Sequence, residues 1–233
     1  MYTFRIIIAG LLFLFAGSQL RGGPTDVYLV LYATHDGNTG HVGIAIDKQR
    51  IRIGDCLDCP GGVRYDTVKT GELVYFDLWP ALDDWTYAFF FGEVPAHYYR
   101  LPTSDVAVPI TLNSLLRQGL PHALEGPCEG LLRLSTTPTQ DTRLMQAFQA
   151  LIDSGRPFSL YEYNCSDFVA TGLNSALLPD ISAEEWVLMR RATTPNALWR
   201  SLVERPDVTV LRDPGDLVGQ AFNTAKIFHI IQP

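Results

Sequence analysis

The sequence has no run of basic residues longer than Arg190-Arg191, and its formal net charge is −7. A phosphate-binding face needs concentrated Lys and Arg, so nucleic acid is excluded as the expected partner. Long hydrophobic runs are also scarce. The apolar stretch from Ile6 to Ala16 falls short of the roughly 20 residues a membrane-spanning helix requires, so no stable span is expected once the leader is removed. Cysteine is sparing: Cys56, Cys59, Cys128 and Cys165 are the four. "DCLDCP" (55–60) has neither a second CxxC nor a closely spaced His pair to complete a zinc site, so a local disulfide or a pair of loop thiols is preferred. There is no internal repeat, low-complexity tract, charge block or linker that would require a second domain.

What is present describes a folded, exported chain. In 233 residues, 47% hydrophobic content against 18% charged suffices for a core. One cation at Arg5, the apolar run, then Ala16, Gly17 and Ser18 have the layout of a secretory signal peptide over residues 1–18. That places the mature chain in a secreted or periplasmic compartment. Its removal takes Arg5 and leaves 17 − 25 = −8 charges. Residues 19–233 then form a single domain with an aromatic, Pro-broken insertion around 79–127.

Strands are expected at "DVYLVLYAT" (26–34) and "GELVYFDLW" (71–79). Between them, "HVGIAID" (41–47) alternates Val42, Ile44 and Ile46 on one face with His41, Gly43 and Ala45 on the other. "IRIGD" (51–55) is expected to return antiparallel after a turn around Lys48 and Gln49. "ITLNSLLRQGL" (110–120) predicts a short helix, and "GLLRLSTTP" (130–138) a strand leading into a helix from about Thr139. In that helix Leu144, Met145, Phe148, Leu151 and Ile152 make a core stripe, with Gly155 as the stop. Thr194 and Pro195 start a last helix that reaches about Val203.

"YNCSDFVATGLN" carries the chemistry. Asn164 is an N-cap, Cys165 opens the helix, and Asp167 lies in its first turn, where a negative charge suits the helix dipole. Thiols at helix N-termini beside an imidazole are the ones that act as nucleophiles. His41 is the candidate imidazole. Gly43, Ala45 and Gly172 lack the side chains that would hold its strand and the cysteine helix apart.

"GHVGIAI" on a strand, followed more than a hundred residues later by "YNCSDFV" opening a helix, resembles the circularly permuted branch of the NlpC-type papain-like superfamily. That branch includes lecithin retinol acyltransferase-like proteins and bacterial secreted relatives. The resemblance covers about 26–80 and 156–180. It implies an α+β fold, a mostly antiparallel sheet packed against the cysteine helix. It further implies Cys165 as nucleophile, His41 as general base, the Cys165 backbone N–H in an oxyanion hole, and no metal or organic cofactor.

The family's third polar residue, on the next strand, has no histidine here. A three-residue turn at 47–49 would pair His41 with Asp55, which would then orient the ring; a two-residue turn opposes His41 to Cys56 instead. The first keeps Ile51 and Ile53 beside Gly43 and Ala45, and Asp77 in "YFDLWP" is held in reserve. His35 is a loop residue beside the cleft, and Tyr161 and Tyr163 flank the nucleophile. The expected activity is hydrolysis of an amide bond in cell-wall peptide. The alternatives are an acyltransferase or lipid hydrolase using the same pair, with the aromatic segment 85–99 meeting acyl chains, or a binding module that has lost catalysis.

Overall fold

The computed structural model describes residues 21–36, 38–81, 92–103, 108–120, 124–187 and 190–220. The segment read as a signal peptide, residues 82–91 of the aromatic stretch, His122 and His229 lie outside the described residues.

In chain order the first strands are β1 (Arg21–Gly22), β2 (Thr25–Tyr32), β3 (His41–Asp55), β4 (Val63–Pro80) and β5 (Ala96–Leu101). A short helix α1 (Leu112–Arg117) precedes the two-residue strands β6 (Gly119–Leu120) and β7 (Leu124–Glu125), and then comes β8 (Gly130–Thr136). Helix α2 (Pro138–Ser154) leads to α3 (Cys165–Ala176). The hairpin β9 (Glu184–Val187) and β10 (Arg190–Thr193), helix α4 (Pro195–Val203) and β11 (Val208–Arg212) follow. The main sheet runs β1-β4-β3-β2-β8-β11, with β5 also on β4. Its pairs are antiparallel except β1 with β4. The architecture is mixed α+β.

The sheet separates two cores, because its central strands are apolar on both faces. Leu29 of β2, Val42, Ile44 and Ile46 of β3, and Phe76 and Leu78 of β4 pack under α2, α3 and α4. On the other face, Tyr28, Val30, Ala45 and Tyr75 meet Ile110, Leu115, Leu120 and Cys128. Residues in the 79–127 stretch supply β5, which extends the sheet, and Ile110, Leu115 and Leu120 of the apolar cover on its second face.

Two sequence expectations change. The turn expected at Lys48 and Gln49 does not form: β3 runs unbroken through a bulge between Asp47 and Gln49. The polar residues there bridge neighbours rather than turn the chain. Gln49 Nε2 donates to Asp141 at 2.5 Å, and Asp47 accepts from Asp26 N at 2.8 Å and Lys69 Nζ at 2.9 Å. The buried Asp141 also accepts from Thr136 Oγ1, tying the first turn of α2 to β8 and β3.

The second change concerns the small residues. The cysteine helix packs on Val42, Ile44 and Ile46, and not on the face of Gly43 and Ala45. Gly43 instead makes room for Tyr75, whose hydroxyl oxygen would lie 2.0 Å from an added Cβ. Gly172 gives way to the Phe148 ring of α2, 2.4 Å from such an atom, so its absent side chain brings two helices together. Helix ends follow the sequence closely. Thr137 forms a capping box with Gln140, Gly155 closes α2 at φ 60°, and Thr194 caps α4.

Candidate active site

Asn164 builds the start of α3. Its side-chain oxygen accepts from the backbone N–H of Ser166 at 2.8 Å and of Asp167 at 3.2 Å, and Asp167 Oδ2 accepts in return from Asn164 N at 3.0 Å. Asn164 Nδ2 donates to the carbonyls of Leu160 and Thr193, both at 2.9 Å, fixing the cap to the loop before it and to β10. With these N–H groups spent on the cap, no described residue accepts from the Cys165 N–H, which stays available to a developing oxyanion. Cys165 is a free thiol and 8% exposed.

His41 begins β3, and both it and Cys165 sit at the ends of their elements. This lets them meet although α3 covers the opposite face of the strand. The imidazole lies close enough to the Cys165 side chain for the two groups to act on each other electrostatically, and the sulfur also has Ser166 Oγ at 4.0 Å. Its Nε2 lies 3.0 Å from Asp77 Oδ2, so Nδ1 is the nitrogen left for the sulfur. Trp79 completes the arrangement from β4: its Nε1 donates to the same Asp77 oxygen at 3.0 Å, and its ring stacks on the imidazole with centroids 4.2 Å apart. The Tyr75 hydroxyl lies near enough to Asp77 to feel its charge.

The electrostatics follow from this packing. Burial alone would discharge His41, but the Cys165 sulfur beside it and the hydrogen bond to Asp77 outweigh that and raise the imidazole to about 9. Tyr75 is pushed far above the ordinary phenol value by burial and then by the Asp77 charge, so it stays a neutral donor. His41 thus stands between a carboxylate that orients its ring and the Cys165 sulfur.

Asp55 does not belong to this group. It pairs with Val63 at the far end of β3, roughly 45 Å of strand contour from His41 at about 3.3 Å per residue. The turn that would have folded it back is absent, and the reserve residue Asp77 occupies the place instead. Trp79 and Tyr75 were missed. Their signal was the alternation in "YFDLW", which puts Tyr75, Asp77 and Trp79 on one face of the strand beside His41.

The remaining candidates separate. His35 Nε2 is bound to Glu129 Oε1 at 2.8 Å, a contact that raises the ring above its usual value. His97 stacks on Tyr99. Tyr161 and Tyr163 lie under Arg190 and Arg156. Cys56 and Cys59 form a disulfide, so neither thiol is left for zinc. Cys128 is buried, and burial pushes its thiol up to about 11, outside the range of a useful nucleophile at neutral pH.

Comparison of the chain with protein-family models, with curated proteins and with solved structures found no match.

Proposed function

We propose that this chain is an exported cysteine hydrolase with the permuted NlpC-type papain-like arrangement, cleaving an amide bond in peptide of the cell-wall class. One observation carries the reading: a buried imidazole bonded to the carboxylate of Asp77 stands beside the free thiol at the head of α3. The leader-like segment around Ile6–Ala16 supports export.

The chemistry runs in two halves. His41 takes the thiol proton as the Cys165 sulfur forms a bond to the substrate carbonyl carbon and the C=O π pair moves onto oxygen. The Cys165 N–H donates to that oxygen. Collapse breaks the C–N bond, and the leaving amine takes the proton from His41, leaving a thioester on Cys165. Water, losing its proton to His41, then attacks the thioester and releases the acid. Asp77 keeps the ring in one tautomer, and Trp79 holds Asp77 and shields the bond between them from water. This sequence requires no metal or organic cofactor. The presence of an orienting carboxylate favours an enzyme over a binding module that has lost catalysis.

The test is incubation of the purified chain with cell-wall peptide and, separately, with a panel of acyl lipids, using Cys165→Ala as control. Release of new amine termini from peptide, with an acyl adduct on the Cys165 peptide by mass spectrometry, is the expected result. Turnover of lipid alone shows an acyl-lipid enzyme, and turnover of neither class by a chain whose Cys165 labels fast removes both substrate classes.

A further inference from the structure

Beyond the bulge at Asp47, β3 and β4 continue as a hairpin arm over residues 49–69, with the short β1 on the outer edge of β4 and the Cys56–Cys59 disulfide at its tip. The β2 pairing stops at Ile46, so the β3 side of this arm has no neighbouring strand from β2. Its cross-strand register pairs Ile51 with Thr67, Ile53 with Tyr65 and Asp55 with Val63. One face of the arm therefore presents Ile51, Ile53, Val63 and Tyr65. Ile51 is 61% exposed, Ile53 64% and Tyr65 40%, and Leu57 at the tip is fully exposed. These four are most of the exposed large apolar side chains described anywhere in the chain. The other face carries Arg50, Arg52 and Arg64, with Asp66 between the last two.

Charge divides along the same line. Residues 49–69 hold four cations (Arg50, Arg52, Arg64, Lys69) and three anions (Asp55, Asp58, Asp66), a net of 4 − 3 = +1. The rest of the chain carries 14 − 22 = −8. A positive, two-faced projection on a negative body fits an anionic lipid surface. An amphipathic element lying in the bilayer interface sinks its apolar face toward the acyl chains and leaves its arginines at the level of the phosphates. The chain enters the described structure on this arm, since β1 pairs Arg21 with Asp66 and Gly22 with Thr67. The apolar residues 6–16 therefore precede a segment already fixed to it.

We propose that the 49–69 arm is a docking element that seats the protein on an anionic membrane surface, through Ile51, Ile53, Leu57 and Tyr65 with Arg50, Arg52 and Arg64. This assignment does not rest on the thiol chemistry at the other end of the same strands.

The test is vesicle flotation of the full chain and of its Ile53→Asp/Leu57→Asp variant. Vesicles are phosphatidylcholine alone or phosphatidylcholine with roughly one-third phosphatidylglycerol. Both proteins carry residues 1–20, so the difference between them reads the arm. The wild type is expected to float with the anionic vesicles, and the double variant to bind at least about tenfold more weakly. Arg50→Gln/Arg52→Gln/Arg64→Gln should erase the preference for anionic over neutral vesicles. If the double variant loses its fold by circular dichroism, Leu57→Asp alone, at a fully exposed site, gives the reading. Equal flotation of wild type and variant overturns the proposal. So does an arm-dependent dimer that binds neither kind of vesicle, which would make a second copy of the chain the occupant.

Discussion

The two ends of β3 and β4 are one pair of strands put to opposite uses. At the His41 end every side chain is packed: Gly43 is small because Tyr75 fills its space, and Asp77 and Trp79 hold the imidazole from the neighbouring strand. At the Asp55 end the same ladder continues with its apolar side chains in solvent. Backbone pairing is therefore not what makes the candidate site. Burial on both faces is, because it fixes a histidine against a carboxylate whose charge outweighs the cost of burying the ring.

The largest contrast should come from the reacting groups. Cys165→Ala or His41→Ala is expected to lower turnover by about 10³-fold or more, whereas Ile53→Asp on the arm leaves it unchanged. Steady-state kinetics on the released amine checks both.

The glycines sharpen the comparison next. Gly43→Ala places a methyl 2.0 Å from the Tyr75 hydroxyl oxygen and should cost about 1–3 kcal/mol and most of the activity. Gly54→Ala, on the same strand with nothing within 4 Å of the added atom, should stay within about 0.5 kcal/mol. Denaturant unfolding of the two variants gives the result, and equal costs would contradict the account of why β3 is small near His41.

Trp79→Phe keeps an aromatic ring over the imidazole but removes a hydrogen bond to a charged group, with an expected loss of roughly tenfold. Removing that donor leaves more of the Asp77 charge on the oxygen facing His41, so the alkaline limit of the pH–rate profile, near the His41 value of about 9 in the wild type, should move up. The same shift has a sign for stability. His41 binds its proton more tightly folded than unfolded, so its contribution is complete below about 6.5, declines as pH rises, and is gone above about 9. Thermal midpoints of wild type and Asp77→Asn should therefore converge between pH 6 and pH 9.5, both values being chosen to bracket roughly that window.

The smallest effect belongs to the tip. Cys56→Ser/Cys59→Ser removes a bridge that closes a very short loop, worth about 2 kcal/mol at most and confined to the arm. Labelling of Cys165 should not change.

Much of this was legible in sequence where one local signal decides the outcome. Asn164, Thr194 and Gly155 mark helix ends by capping chemistry that needs no tertiary partner, and the alternation in 41–47 marks a strand. The pairing of Cys165 with His41 was legible as a resemblance. What was not legible depended on which face a neighbour would take. Both faces of β3 are buried, so Gly43 and Ala45 read equally well as a seat for a helix or for Tyr75. Lys48 and Gln49 read as a turn because their partners, Glu72 and Asp141, are distant in sequence. Once that turn was assumed, Asp55 appeared opposite His41 and Asp77 stood second.

The central claim is that the His41 imidazole activates the Cys165 sulfur. The direct measurement is the rate of Cys165 alkylation by a small iodoacetamide probe at neutral pH, in wild type and in His41→Ala, with Cys128 as the internal reference. Rapid modification of Cys165 in the wild type, slowed about a hundredfold in His41→Ala while Cys128 stays inert in both, is the result predicted. Equal rates for Cys165 in the two proteins would contradict it.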